Sequence, residues 1–201
     1  MLTGWIIMQF NTYLDNKKKL KLIHDTSIRE VILEHKTLSR MGRLDTESLL
    51  TLTDSALESG LSPVLQWDIL CTESNFENCI KLLDDLPLSK FAAIRVQDIG
   101  AAEWVKHELP EIPIHFIAEA GNHNLTGLLR WHEYFGQQLQ RFALSSELPI
   151  SILINYCRSL TVPCEILAAG RILLFYTPRK LLGNYESSKN SFAFNENRLV
   201  P

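Results

Sequence analysis

The residues of this chain that are able to do chemistry fall at the ends of apolar runs. Glu34 and His35 end REVILEH, Gln66 and Asp68 end SPVLQWD, Gln97 and Asp98 end FAAIRVQD, Glu119 follows IPIHFIA, and Ser145 and Glu147 follow QRFAL. If each run is a strand and the strands are parallel, these side chains gather at one mouth. Carboxylates and a histidine converging there suit general acid–base work. Taken singly, each has a plainer role: Asp98 fits the cap of a helix over 100–108, Glu147 a cap or ion pair on the next helix, and His35 a satisfied or exposed side chain. A basic group follows the last run, with Arg171 after AAG and then Arg179 and Lys180 in TPRKLL. It either holds a carboxylate or phosphate through forked hydrogen bonds or pairs with acids and faces water. The second is favoured, because polar residues at strand ends are common in any such fold.

Other chemistries find less support. His35, His115, His123 and His132 show no HExxH or paired spacing, so no dedicated metal site is expected. Ser145, Ser146, Cys71 and Cys164 lie in no GxSxG elbow and beside no base at a recognisable spacing. The cysteines, Cys71, Cys79, Cys157 and Cys164, form no CxxC pair and read as buried free thiols. The tryptophans are spread one per unit and read as packing residues, except Trp67, which beside Asp68 is placed to stack on a flat ligand at the mouth.

The elements that must position these groups repeat along the chain. GWIIMQFNTY reads as a strand and NKKKLKLIHDT as a helix; REVILEHKTL follows as a strand, and Asp45 caps the helix TESLLTLTDSALESG, which Gly60 ends. The alternation continues through SPVLQWDIL, NFENCIKLLDDL, FAAIRVQD, IGAAEWVKHEL, IPIHFIAEA, NLTGLLRWHEYFG, QRFALSS, ISILINYCRSL and CEILAAG. About seven strands thus alternate with about six helices. Runs such as FAAIRVQ and IPIHFIA look near-continuously apolar, as strands covered on both faces do, so the sheet is expected to be parallel. No Gly-rich phosphate loop follows the first strand, which disfavours a dinucleotide fold. The expected architecture is an α/β, TIM-like (β/α) barrel, incomplete or irregularly closed. It forms one domain over 1–182, with a polar tail at 183–201.

Bulk composition narrows the function. At 201 residues, 46% hydrophobic and 21% charged, with net charge −3, the chain supports one core and lacks the basic excess of a protein that grips nucleic acid over its whole surface. No run approaches membrane-spanning length, and the early lysines follow rather than precede the first apolar stretch, so a cytoplasmic protein is expected. An incomplete barrel exposes strand edges, which points to a homodimer or a heteromeric partner.

The order of REVILEHKTLSRMGRLDTESL, SPVLQWDIL, IRVQDIGAAEWVKHELPEIPIHFIAEAGNHN, RFALSSELPIS and CEILAAGRILLFYTPRKLL resembles peptidase family U32, the collagenase-like proteases. The resemblance spans roughly residues 5–182, and VQDIG, SSELPIS and GRILLFYTPRK carry it most specifically. It implies a TIM-like barrel and, in several relatives, hydroxylation of RNA bases or ubiquinone precursors with an iron–sulfur cluster on cysteines near the barrel's end. Arg40, in KTLSRMGR, matches an arginine common in the family after the second strand. At the family's cysteine positions this chain has Leu173 or Leu174 and Lys180, which cannot bind iron, so no cluster and no other cofactor is expected. The resemblance therefore implies an accessory or binding component of a hydroxylation pathway, with a small aromatic or nucleotide-like ligand. The alternative is an active peptidase or RNA-modification enzyme using the strand-end carboxylates.

Overall fold

A computed structural model describes residues 8–119, 124–170 and Tyr176. Strands and helices alternate: β1 (Asn11–Tyr13), α1 (Lys17–Ile23), β2 (Glu30–Glu34), α2 (Thr46–Glu58), β3 (Ser62–Trp67), α3 (Glu73–Asp84), β4 (Ala93–Val96), α4 (Ile99–Glu108), β5 (Ile114–Ala118), α5 (Leu125–Phe135), β6 (Leu139–Leu144), α6 (Ile150–Ser159) and β7 (Cys164–Glu165). The strands form one parallel sheet in the order β1 to β7, curled into an open, incomplete TIM-like barrel. The described barrel unit ends at Gly170, and the expected domain boundary at 182 lies outside the described residues.

Local signals set the helix ends. Asp45, Asp98, Asn16 and Asn124 each accept a hydrogen bond from a backbone N–H of the helix's first turn, replacing a partner those amides otherwise lack. Gly60, just past α2, has φ +71°, a conformation that costs other residues the clash of a Cβ. The expected helices are all found, α4 one residue earlier than the 100–108 read from sequence. The expected strands are found too, though shorter: the described part of the first holds only Asn11–Tyr13 in the sheet, and after Glu34 His35 makes an isolated bridge to Leu44 and KTL is turn.

The two faces of the sheet differ in chemistry. Val31, Leu33, Leu65, Trp67, Ile94, Val96, Phe116 and Phe142 point outward and pack with the helices into one core. Their alternate neighbours point inward, and many are polar. In register across the sheet run Glu34, Gln66, Arg95, His115 and Arg141. This corrects the reading of FAAIRVQ and IPIHFIA as near-continuous apolar runs. Arg95, Gln97 and His115 occupy alternate positions there and line the concave side, a period of two hidden by apolar residues such as Ala93 and Ile117 that share the inner face.

Trp67 is also corrected. It is fully buried on the outer face, stacked on Phe76 at 5.9 Å and edge-on to Trp104 at 6.2 Å, so it packs in the core and does not stand at the mouth. Position 67 has odd parity relative to Gln66 and Asp68, which is why it faces the helices. The cysteines carry no disulfide among the described residues, but only Cys79 is buried and Cys157 is exposed on the outer side of α6, so the expectation of buried thiols fails there.

Candidate functional site

The concave face holds two polar layers. The lower one crosses the lumen. Arg141 on β6 reaches Glu30 on β2 with both terminal nitrogens and Glu165 on β7 with one, at 3.3 Å; Arg95 on β4 pairs with the other oxygen of Glu165. Asn11 on β1 donates to Glu165 at 2.8 Å and to Glu30 at 3.3 Å. The first and last strands, which share no backbone ladder, are thereby tied side chain to side chain. Burial opposes the charge on Glu165, yet Arg95, Asn11 and Arg141 together hold its carboxyl below the usual range. The same balance raises Arg141 through Glu30 and Glu165. His115 stands in register between Arg95 and Arg141; burial, with Arg141 and Arg95 nearby, lowers it to about 4, so it is neutral at physiological pH.

The upper layer sits at the carboxyl ends of the strands. The turn after β2 builds it. Gly42 packs so closely that a Cβ there would lie 2.3 Å from the His35 carbonyl oxygen, so only glycine permits the turn. The turn folds over β3: the Ser39 hydroxyl donates to the Gln66 carbonyl at 2.8 Å, and Asp68 N–H donates to the Leu38 carbonyl at 3.1 Å. Arg40 is thereby laid across Asp68. Its backbone N–H and Nε donate to the two carboxylate oxygens at 2.9 and 2.8 Å, and its Nη2 donates to Glu119 at 3.2 Å. Burial disfavours the guanidinium charge, but Asp68 and Glu119 outweigh it and raise its pKa. Gln66 Nε2 donates to Asp68 Oδ2 at 3.0 Å and lies 3.4 Å from the Tyr13 hydroxyl.

The Glu34 carboxyl stands in this layer with no hydrogen-bond or ion-pair partner among the described residues. Burial first, then the Asp68 charge, push its carboxyl up to about 7, against the opposing pull of Arg40 and Arg95. Burial also raises the Tyr13 hydroxyl. The side-chain carbonyl oxygens of Gln66 and Gln97, residues more than nine-tenths buried, find no donor.

Of the residues picked from sequence, Glu34, Arg40, Asp68 and Glu119 therefore meet, with Gln97 at the end of β4 on the same inner side. His35 does not join them. Its Nδ1 accepts from Thr37 N–H at 3.0 Å and its Nε2 faces Thr46 at 3.4 Å, under the start of α2. Asp98 takes up its capping role on α4 and also accepts from Cys71 N–H at 3.1 Å. Glu147 is exposed in the loop before α6, its backbone N–H donating to the buried Ser145 hydroxyl at 3.2 Å. Arg171, Arg179 and Lys180 lie outside the described residues. The lower layer was not picked from sequence at all, nor was Tyr13. The signal available was polar residues two apart on one strand, as in Arg95 and Gln97 or Gln66 and Asp68.

Comparison with known proteins follows the same lines. The family model for peptidase family U32 matches residues 15–193. The solved structure of the U32 peptidase Mk0906 superposes with a TM-score of 0.56 at 15% identity, covering 79% of this chain and 68% of that one, a likeness of fold. No curated protein matches the chain. Among the described residues no helix is long and apolar enough to cross a membrane.

Proposed function

Since the chain belongs to peptidase family U32, we propose that its working surface is the upper layer of the half-barrel and that Glu34 is the group there that exchanges a proton with a bound polar substrate. One observation carries this reading: a half-buried carboxyl at the carboxyl ends of the strands, left without a partner while every carboxylate around it is paired. Its pKa of about 7 matches the acidity at which a carboxyl both takes and returns protons near neutral pH. For hydrolysis of a peptide bond, the ionised Glu34 takes a proton as water adds to the carbonyl carbon, then delivers it to the departing amine as the C–N bond breaks. Arg40 acts by position, holding Asp68 and Glu119 in place, and Asp68 keeps Glu34 protonatable.

The reading as an accessory or binding component of a hydroxylation pathway acting on RNA bases or a quinone precursor rests on the family resemblance, which sets Leu173 or Leu174 and Lys180 where relatives have cysteines. Those positions lie outside the described residues, so the geometry adds weight only to the acid–base reading.

A peptide-library cleavage assay tests the reading. A general base must be ionised, so the rate is expected to rise with pH through about 7 and then level. Glu34→Gln is expected to lower it by roughly a hundredfold or more. A rate indifferent to Glu34→Gln would remove Glu34 from the chemistry.

A further inference from the structure

Among the described residues the upper layer leaves the Glu34 carboxyl and the side-chain oxygens of Gln66 and Gln97 without donors, and one buried donor, Arg40 Nη1, without an acceptor. Glu34, Asp68 and Glu119 bring three carboxyl groups, and the positive group bonded among them is Arg40, which serves Asp68 and Glu119. Arg95, the next cation inward, is engaged below by Glu165. Gln66 adds an independent mark. Its amide nitrogen donates to the Asp68 carboxylate, which fixes which end of the amide is oxygen. That oxygen is therefore a true acceptor, buried beside the carboxylates and without a donor. An unsatisfied buried carbonyl costs about 1–3 kcal/mol, a cost relieved by whatever brings it an N–H. The Gln97 side-chain carbonyl oxygen, at the end of the next strand, is unsatisfied in the same way.

We propose that the upper layer binds a protonated primary amine, so that the substrate of the site presents an ammonium group to Glu34 and the Gln66 carbonyl. The inference rests on the acid–base reading above for the identity of the site and adds to it the class of ligand. An ammonium carries three donors and one positive charge, and it meets the excess of acceptors and the excess of negative charge together. A bare metal ion fits less well, since no three His, Cys, Asp or Glu residues converge to hold one among the described residues. A neutral alcohol supplies one donor and no charge. Binding is coupled to the proton on Glu34, which feels Asp68, Arg40, Arg95 and Asp15 and faces Tyr13. An ammonium beside it favours the carboxylate, so affinity rises as pH rises through the range where Glu34 ionises.

The test titrates the full chain with n-butylammonium at pH 8 and follows the side-chain amide signals of Gln66 and Gln97 by NMR, with n-butanol and sodium chloride as matched comparators. A saturable shift of the Gln66 amide is expected with butylammonium, at an affinity at least about tenfold above that of butanol. Glu34→Gln, which keeps both reporter amides, is expected to weaken it by about tenfold and to flatten its pH dependence. Gln66→Met, checked for folding by circular dichroism, should weaken binding seen at Gln97. An equal response to butanol or to sodium chloride, or no saturable shift, overturns the proposal. The two readings separate in the same sample. If the Glu34 carboxyl carbon of the free protein titrates in the ordinary carboxylate range while Gln66 still shifts saturably with butylammonium, the acid–base reading falls and the amine site stands. If Glu34 titrates near 7 and the amine does not bind, the reverse holds.

Discussion

The two polar layers of the concave face are built from the same residue types and reach opposite conditions. In the lower layer Arg95 and Arg141 face Glu30 and Glu165, two cations for two anions, and Asn11 donates to both acids. Its acidic member Glu165 is held below the usual carboxylate range. In the upper layer Glu34 is left without a partner and is pushed up to about 7, with buried carbonyl oxygens beside it that lack donors. Charge balance makes the lower layer a tie across an open sheet, although Arg95 Nε and His115 Nδ1 find no partner there. In the upper layer the charges of the described residues do not balance, and the side-chain oxygens of Gln66 and Gln97 lack donors, so it is the layer that gains from a ligand.

If the lower layer is a tie, removing its centre should be the most damaging change in the concave face. Arg141→Ala leaves Glu30 without its forked partner and Glu165 with Arg95 and Asn11 only, and breaking a largely buried pair costs about 3–5 kcal/mol. Urea unfolding should show that loss as a lowered midpoint at unchanged slope. A loss under about 1 kcal/mol would mean that solvent already serves these charges and that the contrast between layers is one of geometry alone.

The upper layer should respond in the opposite sense. Glu34 is a carboxyl whose folded pKa lies above its unfolded value of 4.5, so the folded state binds the proton more tightly. Its ionisation therefore costs stability progressively as pH rises from about 4.5 to about 7, and the full cost persists above that. A shift of this size corresponds to about 3 kcal/mol for a dry group, reduced to roughly 2 kcal/mol because solvent reaches the half-buried side chain. Glu34→Gln is thus expected to stabilise the protein at pH 8 by up to about 2 kcal/mol and to change little at pH 4.5, while lowering cleavage roughly a hundredfold or more. Thermal melts at both pH values check this. Destabilisation at pH 8 would show that the carboxylate is a structural partner.

The alternation of strands and helices was legible because the period switches between apolar runs and amphipathic stretches, and because Asp45, Asp98 and Gly60 mark helix ends with residue types that have a single strong reason to be there. The upper layer was half legible. Acids at strand ends identify themselves once the strands are parallel, which is how Glu34, Asp68 and Glu119 were found. His35 looks the same in sequence yet lies one residue beyond the inward position, where the parity of the strand turns it toward α2. Trp67 failed for the same reason. The lower layer was illegible because its ties join residues as far apart as Asn11 and Glu165, and only the curl of the sheet brings those together. Nothing in local composition encodes a curl.

That last point admits a gentler test. Asn11 is the only residue of β1 in the lower tie among the described residues, and its amide contributes two neutral-to-charged hydrogen bonds. Asn11→Ala leaves every ion pair of the layer intact, so the loss in global stability should be about 1 kcal/mol. Its placement matters more than its size. If the side chains of β1 and β7 hold the curled sheet, amide exchange should quicken in Asn11–Tyr13 and Cys164–Glu165 and stay unchanged in β3 to β5, which are paired on both sides. Uniform quickening would mean that the sheet opens as a whole, and that its curl is held by the helices on the outer face and not by the tie across the lumen.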